Sequence, residues 1–265
     1  MKILYKSKEK RLRKILKKDG KTLLLAFDHG FEHGPVVYDG INMNPKRIAK
    51  IAIEGGADGI IVHAGAARYI RKIVGNRIPI IIKITARTNL SPKETEIQEI
   101  VTTVEEANLL GATAIAATLY VGADRESEML KTIAKIKLDC IRYNLPLLGF
   151  AYPRSKKQKS KYDPDAIRYA ARVGAEIGFD IVKTYYPGDK ENWRKVINDA
   201  SFVPVVAAGG PKLSDEEDVV KVVEDVISAG GAGVAIGRNI WTREDEEAVS
   251  LLKEIRSIIH SSNKS

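Results

Sequence analysis

The feature that most constrains the fold is a repeated alternation of short apolar segments with helical patterns. The apolar segments lie at 22–27, 58–63, 79–84, 113–119, 146–151, 180–182, 203–207 and 233–236. Strands that are apolar along their whole length are typical of parallel sheets covered on both faces. Eight such strands, each followed by a helix, predict a single closed (β/α)8 barrel of the TIM-barrel type over residues 21–265. A doubly wound open sheet is the alternative, but no G-x-G-x-x-G motif follows the first strand.

The helices between these strands are predicted from apolar residues at helical spacing. They are expected at 45–54, 67–73, 101–110, 125–143, 164–177, 193–200, 214–229 and 243–260. Ser214 and Glu217 have the spacing of a capping box at the start of one of them. The polar residues 86–98 and the basic residues 156–161 are predicted to form loops.

The net charge of +9 is concentrated at the amino end of the chain. Residues 1–19 hold nine basic and two acidic side chains, so this segment carries +7 and the rest of the chain +2. Leu12, Ile15 and Leu16 lie at helical spacing, which predicts a basic amphipathic helix over residues 1–20 that ends at Gly20. We expect it to pack on the barrel or on a neighbouring subunit. A nucleic-acid arm is disfavoured, because no run of aromatic residues for base stacking accompanies the charges.

The composition also bears on the compartment in which the protein works. No apolar run approaches the roughly 20 residues of a membrane span, and the first residues lack the pattern of a signal peptide. Cys140 is the single cysteine, which excludes an intrachain disulfide and a cysteine metal cluster. We therefore expect a cytoplasmic protein without a membrane or nucleic-acid partner.

Lys183 stands at the carboxyl end of the sixth predicted strand, before the turn-forming Tyr186-Pro187-Gly188. An amine in a water-poor pocket loses its charge more readily and becomes a nucleophile toward carbonyl groups. The alternative is that Lys183 extends over the sheet and makes a salt bridge.

The residues at the other strand ends favour the interpretation of Lys183 as a nucleophile, because catalytic groups of such barrels gather at the carboxyl ends of strands. In order, these ends carry Asp28-His29, His63, Lys83, Tyr120, Tyr152, Lys183, Gly209-Gly210 and Gly237-Arg238. The last two turns are rich in glycine, so backbone amides can approach a phosphate, and Arg238 adds a positive charge. Tight turns without a ligand are the alternative interpretation of these glycines.

The segment 28–35 raises the question of a metal site, because His29 and His33 lie four residues apart with carboxylates nearby. That spacing requires a helix, which the glycines and the proline of this segment oppose. A loop that binds substrate hydroxyl groups is the favoured interpretation. No metal or other cofactor is expected.

Five motifs follow one another along the chain. They are Ala26-Phe-Asp-His-Gly-Phe-Glu-His-Gly-Pro35, Ala151-Tyr-Pro-Arg154, Val182-Lys-Thr-Tyr-Tyr-Pro-Gly-Asp189, Ala208-Gly-Gly-Pro-Lys212 and Val234-Ala-Ile-Gly-Arg-Asn239. In these motifs and their order, the chain resembles the archaeal-type class I fructose-1,6-bisphosphate aldolases along about its whole length. The heptulosonate-forming synthases of archaeal aromatic biosynthesis share most of the motifs, but the Glu32-His33 form of the first one resembles the aldolases. Ala208 stands where some of these aldolases have serine, which weakens one expected phosphate contact.

The resemblance implies a lyase of glycolysis and gluconeogenesis that cleaves fructose 1,6-bisphosphate reversibly to dihydroxyacetone phosphate and glyceraldehyde 3-phosphate. Lys183 would form the Schiff base, Tyr152 would donate and accept protons, and Asp28 would be a second polar group at the substrate. A homo-oligomer without a cofactor is expected. The expected substrate-binding residues are His29, Gly30, Phe31, Glu32, Pro153, Arg154, Gly209, Gly210, Gly237 and Arg238.

Two other functions stay open at this point. One is a transaldolase of the 2-amino-3,7-dideoxy-D-threo-hept-6-ulosonate synthase type, which would use the same lysine. The other is a non-catalytic barrel that binds sugar phosphates, and the joint presence of Lys183, Tyr152 and Asp28 disfavours it.

Overall fold

The computed structural model describes residues 2–35, 43–90, 96–210, 213 and 215–261, with residues 2–6 described by their backbone alone. Eight parallel strands close into a barrel, in which β1 pairs with β10 on one side and with β2 on the other. The barrel strands are β1 (Thr22–Phe27), β2 (Gly59–Val62), β3 (Ile80–Lys83), β6 (Ala114–Val121), β7 (Leu147–Pro153), β8 (Ile181–Tyr185), β9 (Val205–Ala208) and β10 (Gly233–Ile236). The predicted closed barrel is confirmed, and the open-sheet alternative is excluded.

A two-stranded antiparallel hairpin stands outside the barrel, with its strands at the two ends of the segment 86–98 that was predicted to be a polar loop. Its strands are β4 (Thr85–Ala86) and β5 (Glu99–Ile100). Thr85 Oγ1 accepts a hydrogen bond from the amide of Thr118 at 2.9 Å, so the hairpin is held against β6. Residues 91–95 of the predicted loop lie outside the described residues.

Helices follow the strands and cover the barrel. They are α1 (Lys2–Ile15), α2 (His29–His33), α3 (Pro45–Glu54), α4 (Ala64–Val74), α5 (Val104–Leu109), α6 (Glu126–Tyr143), α7 (Pro164–Ile177), α8 (Lys190–Ala200), α9 (Glu216–Ser228), α10 (Arg238–Trp241) and α11 (Asp245–His260). The short α2 and α10 were not predicted. Within the described residues, no helix has both the length and the apolar character needed to span a membrane.

Capping side chains explain where two helices begin. The Asp189 carboxylate accepts a hydrogen bond from the amide of Asn192, so α8 begins at Lys190, ahead of the predicted start. Thr103 Oγ1 accepts from the amide of Glu106, so α5 begins at Val104, later than predicted. Ser214 of the predicted capping box lies outside the described residues.

The first helix ends earlier than its sequence suggests. It stops at Ile15, because the amide of Lys17 donates to the carbonyl of Lys21 at 2.9 Å and leaves the helical path. Gly20, at φ +75, closes the turn that follows the helix instead of the helix itself.

The core has two parts, because successive strand residues alternate between the barrel interior and the surrounding helices. The outer part packs strands against helices and includes the fully buried Trp193 and Trp241. The inner part fills the barrel with residues such as Leu24, Ala116 and Ile181. Ile15 and Leu16, at the end of α1, belong to this inner cluster and pack against the barrel interior.

Candidate active site

The alternation inside the barrel also decides which side chains reach its carboxyl end. Residues two positions beyond inward-facing apolar residues continue the inward face, as Lys83 does after Ile81 and Lys183 does after Ile181. They open into a cavity of about 260 Å³. Polar and charged side chains of this cavity are Asp28, His29, Glu32, His33, Lys83, Thr118, Tyr120, Tyr152, Arg154, Lys161, Tyr162, Lys183, Tyr185 and Arg238.

Lys183 lies inside this cavity with 5% of its surface exposed. On β8, Lys183 pairs with Phe150 of β7 and with Val206 of β9. The Nζ atom lies 3.9 Å from the centre of the Phe150 ring. Burial lowers the pKa of Lys183 to about 8; Asp28 opposes this shift, and the positive charge of Lys83 adds to it. A substantial fraction of this amine is therefore neutral near pH 8, in contrast to an ordinary lysine.

Lys83 is a second buried lysine of the same cavity, with 3% of its surface exposed. Its Nζ atom lies 3.6 Å from Oδ2 of Asp28 and 5.2 Å from the centre of the Phe150 ring. Burial alone would raise the pKa of Asp28, but Lys83, His29 and Lys183 together hold it well below the usual range. Asp28 is therefore a carboxylate that compensates the positive charge of this part of the cavity.

Tyr152 lies on the same inward face of β7 as Phe150, two residues further toward the carboxyl end. Its ring stacks on Tyr185 at 4.3 Å and meets the edge of Phe150 at 6.0 Å. Burial, together with Tyr185 and Asp28, raises the pKa of Tyr152 well above its usual value. The resting side chain is therefore a neutral phenol, which can donate a proton to a bound ligand.

A hydrogen-bonded chain runs from the cavity into the protein. The Tyr120 hydroxyl donates to Oε1 of Glu32 at 2.8 Å, and Nε2 of Gln98 donates to the same hydroxyl at 2.8 Å. The Arg154 guanidinium lies 4.8 Å from the centre of the Tyr120 ring. This arrangement orients the Glu32 carboxylate toward the cavity. Gln98 was missed by the sequence analysis, because it lies in a segment predicted to be an unstructured loop.

The prediction that the segment with His29 and His33 is not helical is wrong. This segment forms the five-residue helix α2, although its glycines were taken to oppose a helix. Gly34, at φ +71, follows the last helical residue and ends the helix there. The two imidazole rings lie 6.2 Å apart, and burial lowers the pKa of His29 to about 3, so this ring is neutral. In the described part of the chain, no cluster of three or more His, Cys, Asp or Glu side chains has the geometry of a metal site.

The glycine-rich turns after β9 and β10 adjoin the cavity, and Arg238 lies between them. Arg238 Nη2 donates to the carbonyl of Gly210 at 3.1 Å, while its buried Nε has no partner among the described residues. A Cβ atom on Gly209 would lie 2.9 Å from Cα of Ile236, and one on Gly237 would lie 2.5 Å from the carbonyl oxygen of Ala26. Close packing of the backbone therefore requires glycine at both positions.

The amide of Gly209 is already occupied within the barrel. It donates to the carbonyl of Ala235 at 2.9 Å. The amide of Gly209 is therefore not available to a ligand of the cavity. Residues 211 and 212 of the same motif lie outside the described residues.

Three of the expected substrate-binding residues do not line the cavity. Phe31 is 42% exposed and packs against the ring of His63 at 5.0 Å. Gly30 accepts the hydrogen bond that ends α2, and the carbonyl of Pro153 accepts one from Nη1 of Arg154. Of these three residues, Pro153 contacts a cavity side chain, that of Arg154.

Several cavity residues were not predicted. Thr118, Phe150 and Tyr185 lie two residues from predicted strand-end residues, so the spacing of inward-facing positions would have found them. Lys161 and Tyr162 come from the connection after β7, which carries no periodic pattern. Only the folded chain brings them to the cavity.

The fold and the cavity define a class of protein: a TIM barrel with a buried, partly neutral lysine amine at the carboxyl end of its strands, next to a phenol and a carboxylate. Such an amine is suited to attack a carbonyl group. Residues 22–243 match the family described as DeoC/LacD family aldolase. The chain belongs to this family.

Individual relatives agree with this assignment. The chain is 36% identical over 258 residues to a protein of Thermoproteus tenax named fructose-bisphosphate aldolase class 1, covering 97% of this chain and 95% of the relative. A crystal structure of an archaeal fructose 1,6-bisphosphate aldolase is similar, with a TM-score of 0.88, 35% identity and coverage of 96% of this chain and 99% of that one. An archaeal fructose-1,6-bisphosphate aldolase with its catalytic lysine covalently bound to the carbinolamine intermediate also has a TM-score of 0.88, at 35% identity, covering 95% of this chain and 99% of that one.

Proposed function

We propose that the protein is a class I, Schiff-base aldolase that cleaves fructose 1,6-bisphosphate reversibly to dihydroxyacetone phosphate and glyceraldehyde 3-phosphate. The observation that carries this proposal is the burial of Lys183 inside the carboxyl-end cavity, where its pKa is lowered to about 8. The relatives named above are aldolases that act on the same sugar bisphosphate. The Schiff-base mechanism uses an amine of this kind as its nucleophile.

The reaction begins when the neutral amine of Lys183 attacks the C2 ketone of the open-chain sugar. The carbinolamine then loses water and becomes an iminium ion. A base removes the proton of the C4 hydroxyl, the C3–C4 bond breaks, and its electron pair is taken up by the iminium as an enamine. Glyceraldehyde 3-phosphate leaves. Protonation of the enamine at C3 and hydrolysis then release dihydroxyacetone phosphate and restore the amine.

Tyr152 is assigned the proton transfers of this sequence. Its neutral phenol supplies the proton that the departing carbinolamine hydroxyl needs, and the resulting phenolate can then accept the C4 proton. Tyr152 also adjoins Phe150, the ring over which the Lys183 amine lies. Asp28 is assigned to stabilise the positive charge of the iminium, since it is a carboxylate 3.6 Å from Nζ of Lys83 whose pKa is lowered by the charges of Lys83 and Lys183.

The cavity carries positive charge on two sides, as a substrate with two phosphates requires. Arg238 and Gly210 lie at the ends of β10 and β9. Arg154 and Lys161 come from β7 and the connection after it, on the other side of Lys183. We assign one phosphate to each side, with His29 and Glu32 near the hydroxyl groups between them.

Reductive trapping tests this function. Sodium borohydride with dihydroxyacetone phosphate should attach a three-carbon adduct to the peptide that contains Lys183, as located by mass spectrometry. Lys183→Met should lose both the adduct and the cleavage of fructose 1,6-bisphosphate. Lys83→Met is the matched control, because it removes a buried lysine of the same cavity and should leave trapping at Lys183 intact. An adduct on Lys83, together with continued turnover by Lys183→Met, would overturn the assignment.

Two further expectations belong to this proposal. The protein is expected to act in the cytoplasm and to assemble into a homo-oligomer. Analytical ultracentrifugation of the purified chain tests the second, and a monomer at micromolar concentration contradicts it.

A further inference from the structure

A second cleft lies at the opposite end of the barrel from the active site. It is formed between α1, the connection from α4 to β3, and the connection from α5 to β6, and its volume is about 580 Å³. Pro79 and Thr113 directly precede β3 and β6 and line the cleft, so the cleft lies at the amino end of the strands. A volume of this size lies within the roughly 300–1,000 Å³ typical of sites for small molecules.

One face of α1 contributes most of the charge of this cleft. Ser7, Lys10, Arg11 and Lys14 all line it. Their spacing places them on a single face of the helix, next to the face that inserts Ile15 into the barrel. Among the described residues, the cleft lining includes no aspartate or glutamate.

The cations of this face differ from Lys8 and Arg13 of the same helix and from Lys17 in the turn after it. Lys8 pairs with Asp180 at 2.7 Å, Arg13 approaches Glu9 at 4.0 Å, and Lys17 lies 3.5 Å from Asp58. Within the described part of the chain, no ion pair involves Lys10, Arg11 or Lys14. The helix therefore pairs Lys8 and Arg13 with acids and leaves the cations of the cleft without a counter-charge from the described residues.

Arg71 adds a fourth cation from the opposite wall. Its Nη1 donates to the carbonyl of Gly75 at 2.7 Å and its Nη2 donates to the carbonyl of Gly111. Its buried Nε has no partner among the described residues, and burial lowers the pKa of the guanidinium. A partly desolvated guanidinium whose partners are neutral carbonyls gains stability when an anion comes near it.

We propose that this cleft binds a small phosphorylated polyanion. Four converging cations without an opposing carboxylate match a ligand that carries several negative charges. Arginine forks and lysine ammonium groups are the usual partners of phosphate oxygens in proteins. Arg11 also donates to the carbonyl of Ala112 at 2.8 Å, which joins α1 to the connection from α5 to β6. The walls of the cleft are therefore held in place before a ligand binds. The site stands apart from the aldolase chemistry, and its test does not depend on that function.

Calorimetric titration with inorganic pyrophosphate tests the proposal. The probe is added to the full chain at constant ionic strength, so that general screening does not change. The variant is Lys10→Gln/Lys14→Gln, in which two exposed side chains are exchanged without disturbing the core. The loss of two charge-assisted contacts should weaken binding by at least about tenfold. Lys131→Gln/Lys135→Gln removes two exposed lysines at the same spacing on α6 and should bind as the wild type does.

The active-site cavity also binds phosphates under the proposed function, so the two sites must be separated. Arg238→Ala should leave pyrophosphate binding to the cleft unchanged. In hydrogen-exchange mass spectrometry, pyrophosphate should slow amide exchange at residues 71–79 and 109–114 in Arg238→Ala, but not when Lys10→Gln/Lys14→Gln is added. The proposal is overturned if Arg238→Ala abolishes all binding, or if the Lys10/Lys14 and Lys131/Lys135 variants bind within twofold of each other.

Discussion

At the residue scale, the pKa of Lys183 depends on two neighbours in the cavity, the buried Lys83 and the Asp28 carboxylate. Lys183 and Lys83 lie over the same Phe150 ring, and Asp28 contacts Lys83 at 3.6 Å. Asp28 raises the pKa of Lys183, whereas Lys83 lowers it, so the nucleophile is tuned by opposing neighbours. The result is an amine that is neutral enough to attack a ketone without losing the charge balance of the cavity.

This balance predicts the pH dependence of kcat/KM for fructose 1,6-bisphosphate. Protonation of Lys183 removes the nucleophile, so kcat/KM should fall as the pH decreases through about 8. Asp28→Asn removes the charge that raises this pKa and should move the acidic limb to lower pH. Lys83→Met removes the charge that lowers it and should move the limb to higher pH. Stopped-flow or coupled assays from pH 5.5 to 9.5 measure both shifts. If the acidic limb moves in the same direction in the two variants, the assignment of this limb to Lys183 is contradicted.

Tyr152→Phe should separate carbon–carbon cleavage from Schiff-base formation. The phenyl ring keeps the packing against Tyr185 but removes the proton-transfer group. Turnover should fall by about 10²–10⁴-fold, because cleavage loses its base at the C4 hydroxyl. Borohydride should still trap the uncleaved six-carbon adduct on Lys183, because water can supply the proton for loss of the carbinolamine hydroxyl in place of Tyr152. Mass spectrometry distinguishes this adduct from the three-carbon one.

Tyr185→Phe is the matched control for that variant. It removes a hydroxyl that accepts a hydrogen bond from Arg154 at 2.8 Å and should lower turnover by at most about tenfold. Equal losses in the two variants would show that Tyr152 has no special part in proton transfer.

At the scale of the element, β7 depends on a close contact between its backbone and the aromatic ring of Phe179. A Cβ atom on Gly149 would lie 1.8 Å from Cδ2 of Phe179, which is almost fully buried and has no room to retreat. Phe179 belongs to the outer part of the core, so this contact lies on the helix side of β7, opposite the Phe150 ring.

Gly149→Ala should therefore lower the free energy of unfolding by about 1–3 kcal/mol, because the core is overpacked. Gly65→Ala in α4 is the control: no atom lies within 4 Å of its new Cβ, and the helix should gain up to roughly 1 kcal/mol. Denaturant midpoints compare the two. The addition of Phe179→Leu should restore part of the loss, and a Gly149→Ala protein as stable as the wild type is incompatible with this account.

At the scale of the whole molecule, His260 joins the end of the last helix to the start of the barrel. Its Nδ1 lies 2.6 Å from Oδ2 of Asp19, and its Nε2 lies 2.8 Å from Oδ2 of Asp58. Both ring nitrogens therefore donate, which requires the imidazolium form. The hydrogen bond to Asp58, with further help from Asp19, raises the pKa of His260.

The raised pKa fixes the sign of the pH effect on stability. The contribution of His260 is fully present below the unfolded value of about 6.5 and is lost as the pH rises through the folded pKa. His260→Gln should therefore cost most near pH 5.5 and least near pH 9, as measured by thermal unfolding of both proteins. His29, His33 and His63 have lowered pKa values and act in the opposite direction, so only the difference between the proteins is informative. A difference that grows with pH would show that the ring is neutral in the folded state.

The fold was predictable because its signals are local. The runs 23–27 and 234–236 are apolar throughout, and the spacing of apolar residues in Pro45–Glu54 and Pro164–Ile177 is helical. A chain that alternates such segments eight times has few ways to bury both faces of its sheet. Lys183, Tyr152 and Asp28 could be named as candidates for the same reason, since the carboxyl ends of parallel strands meet at one edge.

The barrel, its strand order and the candidate nucleophile could thus be predicted, because they depend on periodicity along the chain. Three features arise only in the folded molecule: the approach of Lys83 to Asp28, the hydrogen-bonded chain from Gln98 through Tyr120 to Glu32, and the position of Lys161 in the cavity. These contacts join residues far apart in the sequence and carry no local pattern. Their formation depends on how strands and connections are brought together when the barrel closes.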